Sequence, residues 1–192
     1  VNSTIACALV STKLGVKVAH LEAGLRSYDR RMPEEINRVL TDQISDLLLT
    51  PSADGDDNLS KEGIDSTKVV RVGNAMIDSL LLHLEHARSM KYLESNELES
   101  RGYGLLTLHR PSNVDVREVL EPLLRAICDC SRRLPIIFPA HPRTRKQLTA
   151  FGLWPLVENA PNLRVIEPLG YLEFLALQSD AKVVMTDSGG IQ

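Results

Sequence analysis

Three stretches of the chain concentrate side chains that can move protons or hold anions. The first reads His20-Leu21-Glu22-Ala23-Gly24-Leu25-Arg26 and continues, after a short gap, as Arg31-Met32-Pro33-Glu34-Glu35-Ile36-Asn37-Arg38. The second is Thr107-Leu108-His109-Arg110-Pro111-Ser112-Asn113, and the third is Thr186-Asp187-Ser188-Gly189-Gly190-Ile191-Gln192. Two carboxylates in a water-poor site can be tuned apart and serve as acid and base. Glu22 and Glu34, at the two ends of one loop, are candidates for such a pair. Arg26, Arg31 and Arg38 are near enough in sequence to bind phosphate or keep the carboxylates ionised. The same residues also make a salt-bridged surface loop, and sequence physics alone favours that plainer reading.

In the third stretch, Ser188-Gly189-Gly190 runs into a predicted helix start. Glycines let backbone N–H groups approach an anion, and a helix N-terminus favours negative charge. A phosphate cradle is therefore expected, with a tight turn capped by serine as the alternative. His109 beside Arg110 fits diphosphate contact or proton transfer, although a histidine here is equally a satisfied structural residue. His141 before Pro142-Arg143 repeats the pattern with less support. His83 and His86 lie three apart on a predicted helix. No third ligand follows at metal spacing, so they are expected on the surface.

The elements that must carry these stretches alternate regularly. Helix is predicted from Asn2 or Ser3 to Leu14, strand over Val16–Leu21, and helix from Pro33 with Ile36, Val39, Leu40 and Ile44 as its apolar face. Strand follows at Leu47–Thr50, helix from the Ser52 cap to Glu62, strand at Val69–Val72 and helix over Asn74–Lys91. The polar stretch Glu94–Gly102 is expected to be a linker between domains 1–95 and 102–192. Beyond it, strands at Tyr103–Leu108, Pro135–Pro139, Leu163–Ile166 and Val183–Met185 alternate with helices at Asp115–Arg132, Arg143–Phe151 and Tyr171–Gln178. Such alternation predicts an α/β fold of two Rossmann-like lobes, with ligands beyond the carboxyl ends of parallel strands. All three stretches fall at such ends.

Composition narrows the classes. Against 22 Lys plus Arg stand 25 acidic residues, a formal net charge of −3, with no basic stripe of the kind that binds nucleic acid. No apolar run is long enough to cross a bilayer, and no signal peptide opens the chain. Three cysteines without a CxxC pattern argue against disulfides and for a reducing cytoplasm; each is expected to be a small buried hydrophobe. The chain opens at Val1 and stops at Gln192 directly after the glycine pair, and so reads as a fragment.

The segments HLEAGLRS, RMPEEINR, GNAMIDSLL, TLHRPSNVD and TDSGGIQ, in this order, resemble the non-hydrolysing UDP-N-acetylglucosamine 2-epimerases across essentially all 192 residues. The resemblance implies a two-lobed fold of the GT-B type, a homodimer and a UDP-sugar substrate between the lobes. It also implies a reaction that needs neither metal nor nicotinamide cofactor. The family's paired carboxylates match Glu22 and Glu34, and its histidine matches His109. Its diphosphate turn matches Ser188, Gly189 and Gly190. Phe174 falls where an aromatic contact near the uracil is expected, Leu169 where the backbone meets the nucleotide, and Arg38 at a supporting position. The same resemblance places a basic loop and a Gly-Asp pair before Val1, and ribose-binding glutamates after Gln192. The isolated chain is accordingly expected to be poorly stable and inactive. Alternatives are a 2-epimerase of a UDP-2,3-diacetamido uronic sugar, a GT-B glycosyltransferase, and a nucleotide-sugar binding module without turnover.

Overall fold

A computed structural model of the chain describes residues 2–191. The chain divides into two compact units, 1–79 and 80–192.

In the first unit, α1 (Asn2–Lys13) leads to β1 (Ala19–Leu21), α2 (Pro33–Ile44), β2 (Leu47–Thr50), α3 (Ala53–Lys61), β3 (Val69–Arg71) and the start of α4 (Ala75–Ser89). The three strands form a parallel sheet in the order β1-β2-β3, with His20 opposite Leu48 and Leu48 opposite Val69. Helices cross between parallel neighbours because a tight turn cannot join them. Leu48, at the sheet centre, is fully buried with Ala23 and Leu59, and Ile64 and Val69 pack against them. The first strand is shorter than the apolar run predicts. β2 starts at Leu47, so residues 16–18 have no strand to pair with. Instead Val18 accepts the backbone N–H of Asp46 and Leu47, and its own N–H goes to the Asp46 carboxylate.

The helix α2 inverts its expected polarity. Ile36 and Leu40 are exposed, and the buried residues are Glu35, Thr41 and Asp42. The cause is the loop between β1 and α2, which turns its N–H groups toward the helix. Glu35 accepts the backbone N–H groups of Ser27 and Tyr28, each at 2.9 Å, and the Ser27 hydroxyl at 3.0 Å. Arg38, one turn on, adds a contact at 3.1 Å. Burial pushes the Glu35 carboxyl up, but these donors outweigh it and hold its pKa below the ordinary value of 4.5.

The loop is also pinned at Gly24, where φ is +78°. A β-carbon there would stand 2.7 Å from the carbonyl carbon and 2.8 Å from the Cα of Gly55 in α3. Backbone lies directly against backbone, so glycine is required on both conformational and steric grounds.

In the second unit the rest of α4 is followed by α5 (Tyr92–Ser95), β4 (Gly104–Thr107), α6 (Pro111–Val114), α7 (Arg117–Ser131), β5 (Ile136–Pro139), α8 (Pro142–Ala150), α9 (Trp154–Glu158), β6 (Leu163–Ile166), α10 (Tyr171–Asp180) and β7 (Val183–Thr186). The sheet is parallel, in the order β6-β5-β4-β7. Both faces are covered. Leu106, Phe138, Leu120, Leu124 and Leu148 fill one side, and Tyr103, Leu105, Ile137 and Leu177 the other. This explains the uninterrupted apolar runs of β4 and β5.

The division at residue 79 precedes the linker expected at Glu94–Gly102. Leu80, Leu84 and Ala87 of α4 pack with Leu172, Leu175 and Ala176 of α10, which ties the end of α4 to the second unit. The short helices α5, α6 and α9 span too few residues to show a helical period. Cys7 and Cys130 are exposed rather than buried, and Cys128 is half-buried, its thiol pushed up by burial.

Two stability measurements test these fastenings in the full-length protein. Gly24→Ala is expected to cost more than Gly63→Ala. Gly63 also has φ +78° but nothing within 4 Å of its missing β-carbon. The shared part is the roughly 1 kcal/mol of a left-handed backbone, and the excess measures the contact with Gly55; equal losses in urea unfolding would remove that contact from the account. Because the folded pKa of Glu35 is depressed, its contribution is fully present above pH 4.5 and is lost as pH falls toward the folded value. Glu35→Gln should therefore flatten the acid limb of the stability profile.

Candidate active site

In the first unit, Glu22 and Glu34 reach one cavity of about 450 Å³, lined also by Thr4, His20, Asn37, Arg38 and Thr41. Glu22 follows the last residue of β1 and adopts φ +66°, a left-handed turn that is uncommon for a side chain of this size. Glu34 sits in the first turn of α2, with Arg38 one turn beyond it. The strand end and the helix start thus bring together two acids and a cation, the set expected from sequence. Glu34 and Glu35 adjoin in the chain but differ in duty. Glu35 is consumed by the loop, whereas Glu34 remains half-buried at the cavity. Arg31 instead pairs with Asp29 at the surface, at 2.9 Å. A neighbouring hollow of about 460 Å³, lined by Tyr28, Ile36, Val39 and Leu40, also holds Glu35 and Glu62, but both are already bound by donors.

Behind the carboxylate cavity lies a buried ionic chain. Asp42, with no solvent exposure, meets His20 Nδ1 at 2.6 Å through one oxygen. Through the other it meets the Gly24 N–H at 3.1 Å and Arg26 Nη2 at 2.7 Å. Arg26 is buried to 1% exposure and also grips Glu62 through Nε and Nη2, each at 2.7 Å. Burial works against the Arg26 cation, but the Glu62 and Asp42 carboxylates outweigh it and hold its pKa above the ordinary value. Arg26 is therefore a fastening of the loop.

In the second unit, the site forms where β4 and β7 end side by side. Thr107 and Thr186 are register partners, and their hydroxyls lie 2.7 Å apart. His109 follows β4 and Asp187 follows β7. Asp187, 8% exposed, accepts the N–H groups of His109 at 2.9 Å and Arg110 at 2.7 Å, and the Asn113 amide at 3.2 Å, all through Oδ2. Its Oδ1 stands 2.9 Å from His109 Nδ1 but off the N–H direction, and makes no hydrogen bond among the described residues. Burial raises the Asp187 carboxyl, and the N–H donors more than offset this, leaving its pKa below the ordinary value.

The glycine turn follows directly. The Ser188 N–H is taken by the Thr186 hydroxyl at 2.9 Å, and the Ser188 carbonyl by Ile191. The N–H groups of the exposed Gly189 and Gly190 make no hydrogen bond among the described residues. Arg110 borders the turn, its Nη2 3.9 Å from where a β-carbon on Gly189 would stand. Free N–H groups beside a guanidinium suit an anion. Gln192, the end of this stretch, lies outside the described residues. His141 caps α8 by accepting the Arg143 N–H, and its ring lies 5.8 Å from that of His109. Leu169 and Phe174 are half-buried and pack on the Tyr103–Leu105–Ile137 cluster, so Phe174 also serves the core.

His83 sets its ring edge-on against Tyr171 at 5.9 Å. Among the described residues no group of three or more His, Cys, Asp or Glu is arranged to hold a metal ion. Three residues at the sites carried no assigned role in the sequence: Asp187, His20 and Asp42. Their signal was a polar residue inside or just after an otherwise apolar strand, and, for Asp42, an acid on the side of α2 that faces β1.

A family model described as UDP-N-acetylglucosamine 2-epimerase matches residues 1–192. A UDP-N-acetylglucosamine 2-epimerase homolog of Methanococcus maripaludis is 49% identical over 193 residues, covering all of this chain and 53% of that protein. The UDP-N-acetylglucosamine 2-epimerase of Methanocaldococcus jannaschii is 44% identical, over all of this chain and 54% of its own length. The crystal structure of the M. jannaschii enzyme in complex with UDP-GlcNAc and UDP aligns with a TM-score of 0.90 at 45% identity, covering all of this chain and 54% of that one. The Neisseria meningitidis enzyme bound to UDP-GlcNAc aligns with a TM-score of 0.88 at 30% identity, over 53% of its length. The chain spans about half the length of the relatives it matches. With paired acids at one strand end and an anion-ready turn at another, it belongs to the UDP-N-acetylglucosamine 2-epimerase family.

Proposed function

We propose that the protein containing this chain inverts C2 of UDP-N-acetylglucosamine by eliminating UDP and adding it back. The observation that carries the proposal is the cavity shared by Glu22, Glu34 and Arg38. One carboxylate removes the C2 proton as UDP leaves C1, giving 2-acetamidoglucal. The other protonates C2 from the opposite face, and UDP re-adds. Two acid–base groups are needed because the two proton transfers occur on different faces. Arg38 lines the same cavity as a cation.

Departure of UDP builds negative charge on the diphosphate, which preorganised N–H groups and cations stabilise. Gly189, Gly190 and Ser188, with Arg110 at their side, are the groups we assign to it, and His109 is the proton donor and contact on the same anion. Leu169 and Phe174 border the nucleotide. No metal or nicotinamide enters this route. The free thiols of Cys7, Cys128 and Cys130 support a reducing, cytoplasmic setting. The enzyme's working assembly is a homodimer.

A second reading is a 2-epimerase of a UDP-2,3-diacetamido uronic sugar. It is favoured by a Pseudomonas aeruginosa relative named UDP-2,3-diacetamido-2,3-dideoxy-D-glucuronate 2-epimerase, 43% identical over 194 residues. Offering both UDP-sugars to the full-length protein and following the C2 epimer by proton NMR separates the two. The absence of epimer, glycal and released UDP with UDP-N-acetylglucosamine would sink the leading proposal. Glu22→Gln is expected to lower turnover by about 100-fold or more while leaving UDP affinity unchanged. Undiminished turnover would remove Glu22 from its role.

A further inference from the structure

The carboxylate cavity holds a third titratable group that this route does not use. His20 is the middle residue of β1, 12% exposed, and contributes to the wall that Glu22 and Glu34 share. Its Nδ1 lies 2.6 Å from Asp42, whose other oxygen already takes N–H from Gly24 and Arg26. Asp42 as a carboxylate is an acceptor only, so Nδ1 carries the ring proton. Nε2 then holds the lone pair. It has no hydrogen-bond partner among the described residues, and it is the ring nitrogen left for the cavity.

We infer that His20 is the proton store of this cavity, passing a proton between its Nε2 and the Glu22/Glu34 pair. The inference rests on the proposed acid–base role of that pair. When one of them has taken a proton, its O–H hands that proton to Nε2, giving a carboxylate and an imidazolium. The reverse transfer returns it, with no other reactant consumed. Asp42 stabilises the imidazolium from behind, with Arg26 and Glu62 balancing its charge. The charged and titratable groups around His20 are Asp42, Glu34 and Arg38 from α2, Glu22 from its own strand end, and Arg26 through Asp42. α1 contributes only the neutral Thr4.

The discriminating variant is His20→Asn in the full-length protein. An asparagine amide keeps a donor where Nδ1 stands and removes Nε2. The expected result is a fall in kcat of about 100-fold or more, unchanged KM, an unchanged thermal midpoint, and a pH profile lacking one titrating group. Wild-type turnover in this variant would show that His20 only braces Asp42, and the inference would fall. If the wild-type protein itself forms no epimer, the epimerase proposal fails separately. The proton store is then tested by ¹⁵N NMR of the His20 ring, in the wild type and in Glu34→Gln. Linked titration, seen as a shifted midpoint in the variant, supports it; an identical curve overturns it.

Discussion

A single carboxylate with no access to water organises the first unit. Burying Asp42 is unfavourable unless its charge is met, and three N–H groups meet it: the His20 ring, the Gly24 backbone and the Arg26 guanidinium. Each partner comes from the strand end or the loop that carries Glu22. Satisfying Asp42 therefore dictates the path of that loop. Glu35, seven residues before Asp42 on the same helix, does the same for Ser27 and Tyr28. Two acids on one face of α2 hold the backbone of the preceding loop, and this frees Glu34, on another face, for the cavity.

The second unit uses the same device at a different strand end. Asp187 gathers the N–H groups of His109 and Arg110 and the Asn113 amide, as Asp42 gathers those of its own loop. In both, an acid beside the end of a parallel strand stands within 3 Å of a histidine Nδ1, hydrogen-bonded to it at Asp42 and in ionic contact at Asp187. The recurrence has a simple origin. The carboxyl ends of parallel strands expose N–H groups of the following loops, and a buried acceptor is the cheapest way to satisfy several at once.

The strand–helix alternation was legible in the chain because buried parallel strands are apolar throughout and the longer helices show their period. Leu47–Thr50, Leu163–Ile166 and the run ending at Pro139 lie where the apolar residues put them. The face of α2 was not legible. Periodicity points Ile36 and Leu40 inward, but the unmet donors of the adjacent loop demand Glu35 and Asp42 there, and a donor's position is a property of the folded loop. The three short helices escaped for want of residues to show a repeat. At the site, Glu22 and Glu34 could be named as residues of one loop, yet their common cavity depends on the left-handed turn at Glu22, which no side-chain pattern announces. His20 sat in view inside a motif; what distinguishes it is a partner 22 positions away.

The meeting of Gly24 with Gly55 carries a mechanical consequence. Where two main chains touch without intervening side chains, no rotamer can give way, so a push on one is transmitted whole to the other. α3 thereby acts as a strut for the segment bearing Glu22, two residues upstream of the contact. Displacing α3 would therefore displace the segment that carries Glu22, although α3 lends no side chain to the cavity.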